Sequence, residues 1–143
     1  MKIAICGSLN FTYEIKKLAD ELKSSGFDVS IPISSERILR GEFSLETIKK
    51  EKEAGDFSKR AIAFDSIREY WKVIRDADAV LVAYFDKGGI KNYVGGNSFL
   101  EIGFAHVLNK KIFFLNSIPD MGYSDEIKVM QPVVLDGDLS RII

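Results

Sequence analysis

The stretch Ala79–Ile112, AVLVAYFDKGGIKNYVGGNSFLEIGFAHVLNKKI, decides the fold. Its opening run, Ala79 to Tyr84, is apolar and of strand length, which predicts a central strand covered on both faces, as parallel strands are. At Asp86 the run gives way to a loop carrying Gly88, Gly89, Gly95 and Gly96, and the loop passes into an apolar helix. Lys111 to Leu115 (KIFFL) then forms the next strand. Strand, crossover helix and strand in this order are one unit of an open parallel sheet, in which ligands sit beyond the carboxyl ends of the strands. The glycine-rich loop stands at such an end.

Outward from this unit the alternation repeats. Met1 to Cys6 reads as a short apolar strand broken by Gly7-Ser8, and Thr12 to Ser25 carries Ile15, Leu18, Ala19 and Leu22 at the spacing of one helical face. Asp28 to Ile33 predicts a second strand, and Ala61 to Ala77 a helix with Ile62, Phe64, Ile67, Tyr70, Trp71 and Ile74 on its apolar side. A short helix from Ser124 to Met130 and a strand from Val133 to Leu135 follow. Five strands alternating with helices make an α/β chain: a five-stranded parallel, doubly wound three-layer sandwich of flavodoxin-like or Rossmann-like type, in a single domain over residues 1–143. The glycine pattern is not G-x-G-x-x-G, so the dinucleotide fingerprint is absent.

The segment from Ser34 to Lys59 is charged and weakly periodic. It predicts a helix over Leu45 to Ala54, a break at Gly55, and a candidate lid from which Arg37 or Arg40 reaches a phosphate.

Composition narrows the function classes. With 46% apolar and 29% charged residues the chain belongs among globular proteins rather than disordered ones. Twenty basic residues against 21 acidic give a net charge of −1, which argues against a groove for polymeric nucleic acid built on bulk charge. A lone cysteine, Cys6, excludes an internal disulfide and a cysteine-based zinc site, and a single His makes no metal-ligand spacing. No metal or other cofactor is expected. Without a signal-like start or an apolar run of membrane-spanning length, a cytoplasmic protein with no membrane partner is expected.

The chemistry centres on Glu101. It follows Gly95, Gly96, Asn97 and Ser98 and is flanked by Phe99, Leu100, Ile102 and Phe104. Glycines let a backbone approach a ligand, and the free N–H groups of a helix start favour an anion. Placed in or next to the first turn, an ionised Glu101 is favoured by the helix dipole and suited to nucleophilic work. Ser98-Phe99-Leu100-Glu101 equally fits the S-x-x-E capping box, which needs no ligand. The loop in front is longer than a cap requires, and that tilts the reading toward a site. Cys6 reads as a small core residue at a strand end, and His106 as a core or interface residue on the apolar helix.

Together these residues resemble the superfamily of nucleoside 2-deoxyribosyltransferases and deoxynucleoside 5′-monophosphate N-glycosidases. The likeness is carried by Cys6-Gly7-Ser8 after the first strand, Ala77-Asp78-Ala79-Val80 leading into the central one, and Glu101-Ile102-Gly103 followed by Ala105 and Lys110-Lys111-Ile112. It implies a nucleoside or nucleotide ligand, Glu101 as the nucleophile that attacks the anomeric carbon, Gly7, Ser8, Gly95, Gly96, Asn97 and Ser98 around the substrate, and a homodimer or larger oligomer. A tyrosine of the hydrolase branch is replaced by Ala4, and the place of the family's orienting carboxylate falls at Tyr70, beside Glu69. Cleaving an N-glycosidic bond passes through an oxocarbenium-like state that a carboxylate near C1′ stabilises, while the leaving base takes a proton from Asp86, from Tyr84 or Tyr93, or from water. Two other readings stay open: a non-catalytic nucleotide-binding or regulatory module in the same pocket, and an FMN-holding electron carrier.

Overall fold

β1 (Lys2–Cys6), β2 (Asp28–Ser30), β3 (Ala79–Val82), β4 (Lys111–Phe114) and β5 (Val133–Val134) pair in the order β2-β1-β3-β4-β5, every pair parallel. This is the expected doubly wound sheet, seen in a computed structural model that describes all of residues 1–143. Seven helices connect and cover the strands: α1 (Thr12–Ser24), α2 (Ile33–Leu39), α3 (Leu45–Glu53), α4 (Phe57–Ala63), α5 (Ser66–Arg75), α6 (Gly96–Val107) and α7 (Ser124–Val129). None is long and apolar enough to cross a membrane.

Strand periodicity splits the core in two, because successive side chains point to opposite faces. Ile3, Ile5, Ala79, Leu81 and Phe113 face α1, packing on Ile15, Leu18, Ala19 and Leu22. Ala4, Cys6, Val80, Val82, Ile112 and Phe114 face the opposite layer, against Tyr70 and Ile74 of α5, Ile102 and Ala105 of α6 and Ile127 of α7. Cys6 is fully buried there, as its strand-end position suggested. On the α1 side the 3-10 turn Leu139–Arg141 after β5 brings Leu139 and Ile142 against the sheet.

Three boundaries differ from the expectation. β2 stops at Ser30 because Pro32 lacks a donor for the ladder, and α2 begins at Ile33 with Pro32 as its cap residue. The helix expected over Ala61 to Ala77 is two helices, α4 and α5, separated where Asp65 takes a left-handed conformation (φ 48°). The charged segment holds not one helix but α2, α3 and α4. Its stacking is local: Arg37 lies 3.8 Å from the Phe64 ring centroid and Arg60 4.2 Å from that of Phe43, and Arg60 grips Glu51 through both Nε and a terminal nitrogen.

His106 is exposed on this chain rather than buried in its core. Leu100 and Val107 of the same helix are exposed as well, at 45% and 83%.

Candidate functional site

The strand order reverses between β1 and β3, and at their carboxyl ends the chain leaves a hollow. Gly7 follows β1 and turns away sharply. A Cβ at this position would lie 2.8 Å from Ile15 Cδ1 and 2.9 Å from the Ala83 carbonyl oxygen, so the close packing of loop, α1 and β3 requires glycine. Ser8 then caps the 3-10 turn Leu9–Phe11, its hydroxyl accepting from the Asn10 N–H at 3.3 Å.

After β3 the loop is ordered by its own hydrogen bonds. Lys87 and Ile90 exchange backbone bonds across Gly88-Gly89, both at positive φ (58° and 77°), which makes a two-residue turn that glycine suits. Asp86 accepts the Asn92 N–H at 3.0 Å, and the Asn92 amide donates to Ser117 Oγ at 2.9 Å. Asn116 donates to the Tyr84 carbonyl at 2.9 Å, and the Tyr123 hydroxyl donates to the Val94 carbonyl. The loop thus delivers Gly95 as the cap residue of α6 with an extended backbone and no side-chain cap.

This geometry decides between the two readings of the helix start and places Glu101 relative to its first turn. Because α6 begins at Gly96, Ser98 is in its first turn and is not the cap, so no S-x-x-E capping box forms. Glu101 falls in the second turn, next to the first as expected, where the dipole's effect has weakened.

The hollow is a cavity of about 270 Å³. Gly7, Ser8, Gly95, Gly96, Asn97, Ser98, Tyr70 and Glu101 all line it, so eight of the sequence-derived site residues converge there. Asp86 does not join them. It ties its own loop and faces a second, more open hollow of about 570 Å³ with Asn92, Asn116, Ser117 and Asp136, which contains none of Glu101's neighbours. Tyr70 lines the first cavity, but its hydroxyl is committed to the Ile5 carbonyl, and its phenol is held well above the ordinary value by burial and by Cys6 and Glu101.

Glu101 is the single acidic residue lining the cavity. Its Oε2 is sealed from solvent with no hydrogen-bond partner. Burial pushes its pKa up to about 8, with the Cys6 thiol opposing the rise, so a carboxylate expected to be ionised is mostly protonated at neutral pH in the free protein. Cys6 itself is pushed well up, first by burial and then by Glu101. Tyr84, also buried, leaves its hydroxyl without a partner; the Ser98 hydroxyl is near but not in hydrogen-bonding geometry.

The charged segment expected as a lid does border the cavity, through residues other than Arg37 and Arg40. Lys52 of α3, Phe57, Arg60 and Ala61 of α4, and Ser66 and Ile67 of α5 close it, with Lys87 and Tyr93 reaching in from the β3–α6 loop. Arg37 and Arg40, the expected phosphate-reaching residues, do not line this cavity: the first stacks on Phe64, the second extends toward Glu36 at 3.5 Å. Aromatic residues set inside the charged run, Phe43, Phe57 and Phe64, are the signal that this segment packs as a wall. No group of three or more His, Cys, Asp or Glu side chains comes together to hold a metal ion.

Fold and site together define a three-layer α/β protein with one buried carboxyl group in a cavity at the switch point of the sheet. No protein-family model matches the chain, and no curated protein sequence matches it.

Proposed function

We propose that the chain cleaves the N-glycosidic bond of a nucleoside or nucleotide, or transfers its deoxyribosyl group, with Glu101 as the nucleophile. The observation that carries this reading is the Glu101 carboxyl group: it lines the cavity, is paired with no cation or backbone donor, and leaves Oε2 unsatisfied. A buried polar atom without a partner is destabilising, and ligand chemistry is a reason for it to persist. In the proposed reaction the ionised carboxylate bonds to C1′ as the C1′–N bond breaks, and the base leaves with a proton. Water then attacks C1′ of the glycosyl ester and releases the free sugar, or the nitrogen of a second base does so and gives a new nucleoside. Of the candidate proton donors, Tyr93 lines the cavity, whereas Tyr84 is buried and does not line it and Asp86 lines the second hollow instead. The resemblance carried by Cys6-Gly7-Ser8 and Glu101-Ile102-Gly103 supports the same chemistry. It also supports a homodimer, for which the exposed Leu100 and Val107, about two turns apart on α6, offer apolar surface.

A second reading, a nucleotide-binding module without turnover, is favoured by one observation. No second carboxylate lines the cavity to orient Glu101 or share its proton, and Tyr70 occupies the expected place with its hydroxyl already engaged.

Chromatography for free base separates the two. Purified protein incubated with a panel of deoxynucleosides and their 5′-monophosphates, with and without an acceptor base, is expected to release or exchange base, and Glu101→Gln to lose that activity by roughly a thousandfold or more while still binding. Calorimetric binding of a ligand that is recovered unchanged in every incubation would instead establish the module.

A further inference from the structure

Lys52 and Lys87 both line the Glu101 cavity, one on α3 and the other on the loop after β3. They belong to segments distant in sequence, yet Lys52 feels the charge of Lys87: it is held below the ordinary lysine value by partial burial and then by Lys87. Neither ammonium is in an ion pair, although ten ion pairs occupy other cations of this chain. Each is seated instead on an aromatic ring that also lines the cavity. Lys52 Nζ lies 5.0 Å from the Phe57 ring centroid and Lys87 Nζ 5.5 Å from that of Tyr93. A ring face steadies an ammonium without using its N–H donors, so both lysines keep hydrogen-bonding capacity for something that enters.

The balance of charge around the cavity points to what enters. Lys52, Arg60 and Lys87 line it against Glu101 alone, in a chain whose net charge is −1. Arg60 is neutralised by its two-pronged contact with Glu51. Two unneutralised like charges facing one cavity repel, and a dianion between them converts that repulsion into two charge-assisted bonds. The uncapped start of α6 lines the same cavity through Gly96, Asn97 and Ser98, and adds free N–H groups.

We propose that Lys52 and Lys87 form a phosphate-binding subsite at the mouth of the Glu101 cavity, clamping a phosphate dianion between the α3 wall and the β3–α6 loop. That this phosphate is carried by a nucleotide rests on the proposed function; the subsite itself does not. The lysines set specificity by binding and take no part in bond breaking.

The test is calorimetric titration of wild type, Lys52→Met, Lys87→Met and the double variant with three probes: deoxynucleoside 5′-monophosphates, the parent deoxynucleosides, and inorganic phosphate. Methionine keeps the stem over the ring and removes the charge, and both positions are exposed, so the variants are expected to fold. Wild type should prefer a monophosphate over its nucleoside, each single substitution should weaken the monophosphate roughly tenfold, and nucleoside binding should not change. Raised salt should weaken the monophosphate alone. Inorganic phosphate binding that is lost in the double variant supports the subsite even when no nucleotide binds, and in that case it is the nucleotide reading that fails. Phosphate-bearing probes that bind no better than nucleosides, or bind the double variant as well as wild type, would overturn the subsite, whether or not base release is observed.

Discussion

A carboxyl group that keeps its proton to about pH 8 is a liability to the fold above neutrality. The sign follows from the direction of the shift. With the folded value raised above the ordinary glutamate value, the native state binds the proton more tightly than the unfolded chain. The favourable contribution is present in full at low pH and is lost as pH rises from the ordinary glutamate range through about 8. Glu101→Gln should therefore stabilise the protein at pH 8 by an amount on the order of 1–3 kcal/mol and have little effect at pH 4, which paired thermal unfolding curves would measure. The neighbouring Tyr84 hydroxyl is buried without a partner, so Tyr84→Phe removes a polar atom that gains nothing from the fold. Its stability should match or exceed wild type by up to about 1 kcal/mol, and a loss above that amount in urea unfolding would show that the hydroxyl is satisfied. That Glu101 is the site residue was legible from its position after the glycine loop. Its protonation was not, because desolvation depends on how α6 seats against β1 and β3 in three dimensions.

Elements decide which glycines matter. Gly7 sits where β1, α1 and the end of β3 meet, and a Cβ there comes under 3.0 Å from both a core methyl and a backbone carbonyl oxygen. Gly96 opens α6 at ordinary φ, and a Cβ there meets nothing. Gly7→Ala should accordingly destabilise by about 1–3 kcal/mol, while Gly96→Ala should be neutral or stabilise by about 0.5–1 kcal/mol, read from chemical unfolding of the two variants side by side. Both glycines read alike in sequence, as companions of a ligand. Helix α1 was legible because its apolar spacing repeats over enough residues to show its period, and β1, β3 and β4 because they are short, nearly continuous apolar runs. Where Asp65 adopts φ 48°, one apparent helix becomes α4 and α5, and no residue type there announces it, since Asp tolerates the left-handed region without requiring it.

On the scale of the whole molecule, the reversal of strand order between β1 and β3 explains why residues as far apart as Gly7, Tyr70 and Glu101 share one cavity. Half of that cavity was readable, because strand ends and the following turns are fixed by topology. Much of the other half, Lys52, Phe57 and Arg60, comes from the charged stretch and its border, whose helices are short and tied to one another by arginine–aromatic stacking and the Arg60–Glu51 pair, contacts that leave no period behind. The two halves make different contributions to the proposed activity: the strand-end half carries the carboxyl group and Lys87, and the α3–α4 half carries Lys52 and the paired Arg60. The central claim is that Glu101 acts in its ionised form, and the pH dependence of kcat/KM for base release tests it most directly, since that quantity reports ionisations of the free enzyme. The account predicts a rate that climbs with pH on a single ionisation near pH 8 and levels off above it. A rate that is highest at acid or neutral pH and falls through the same ionisation would make the protonated carboxyl the working form and contradict the nucleophilic role.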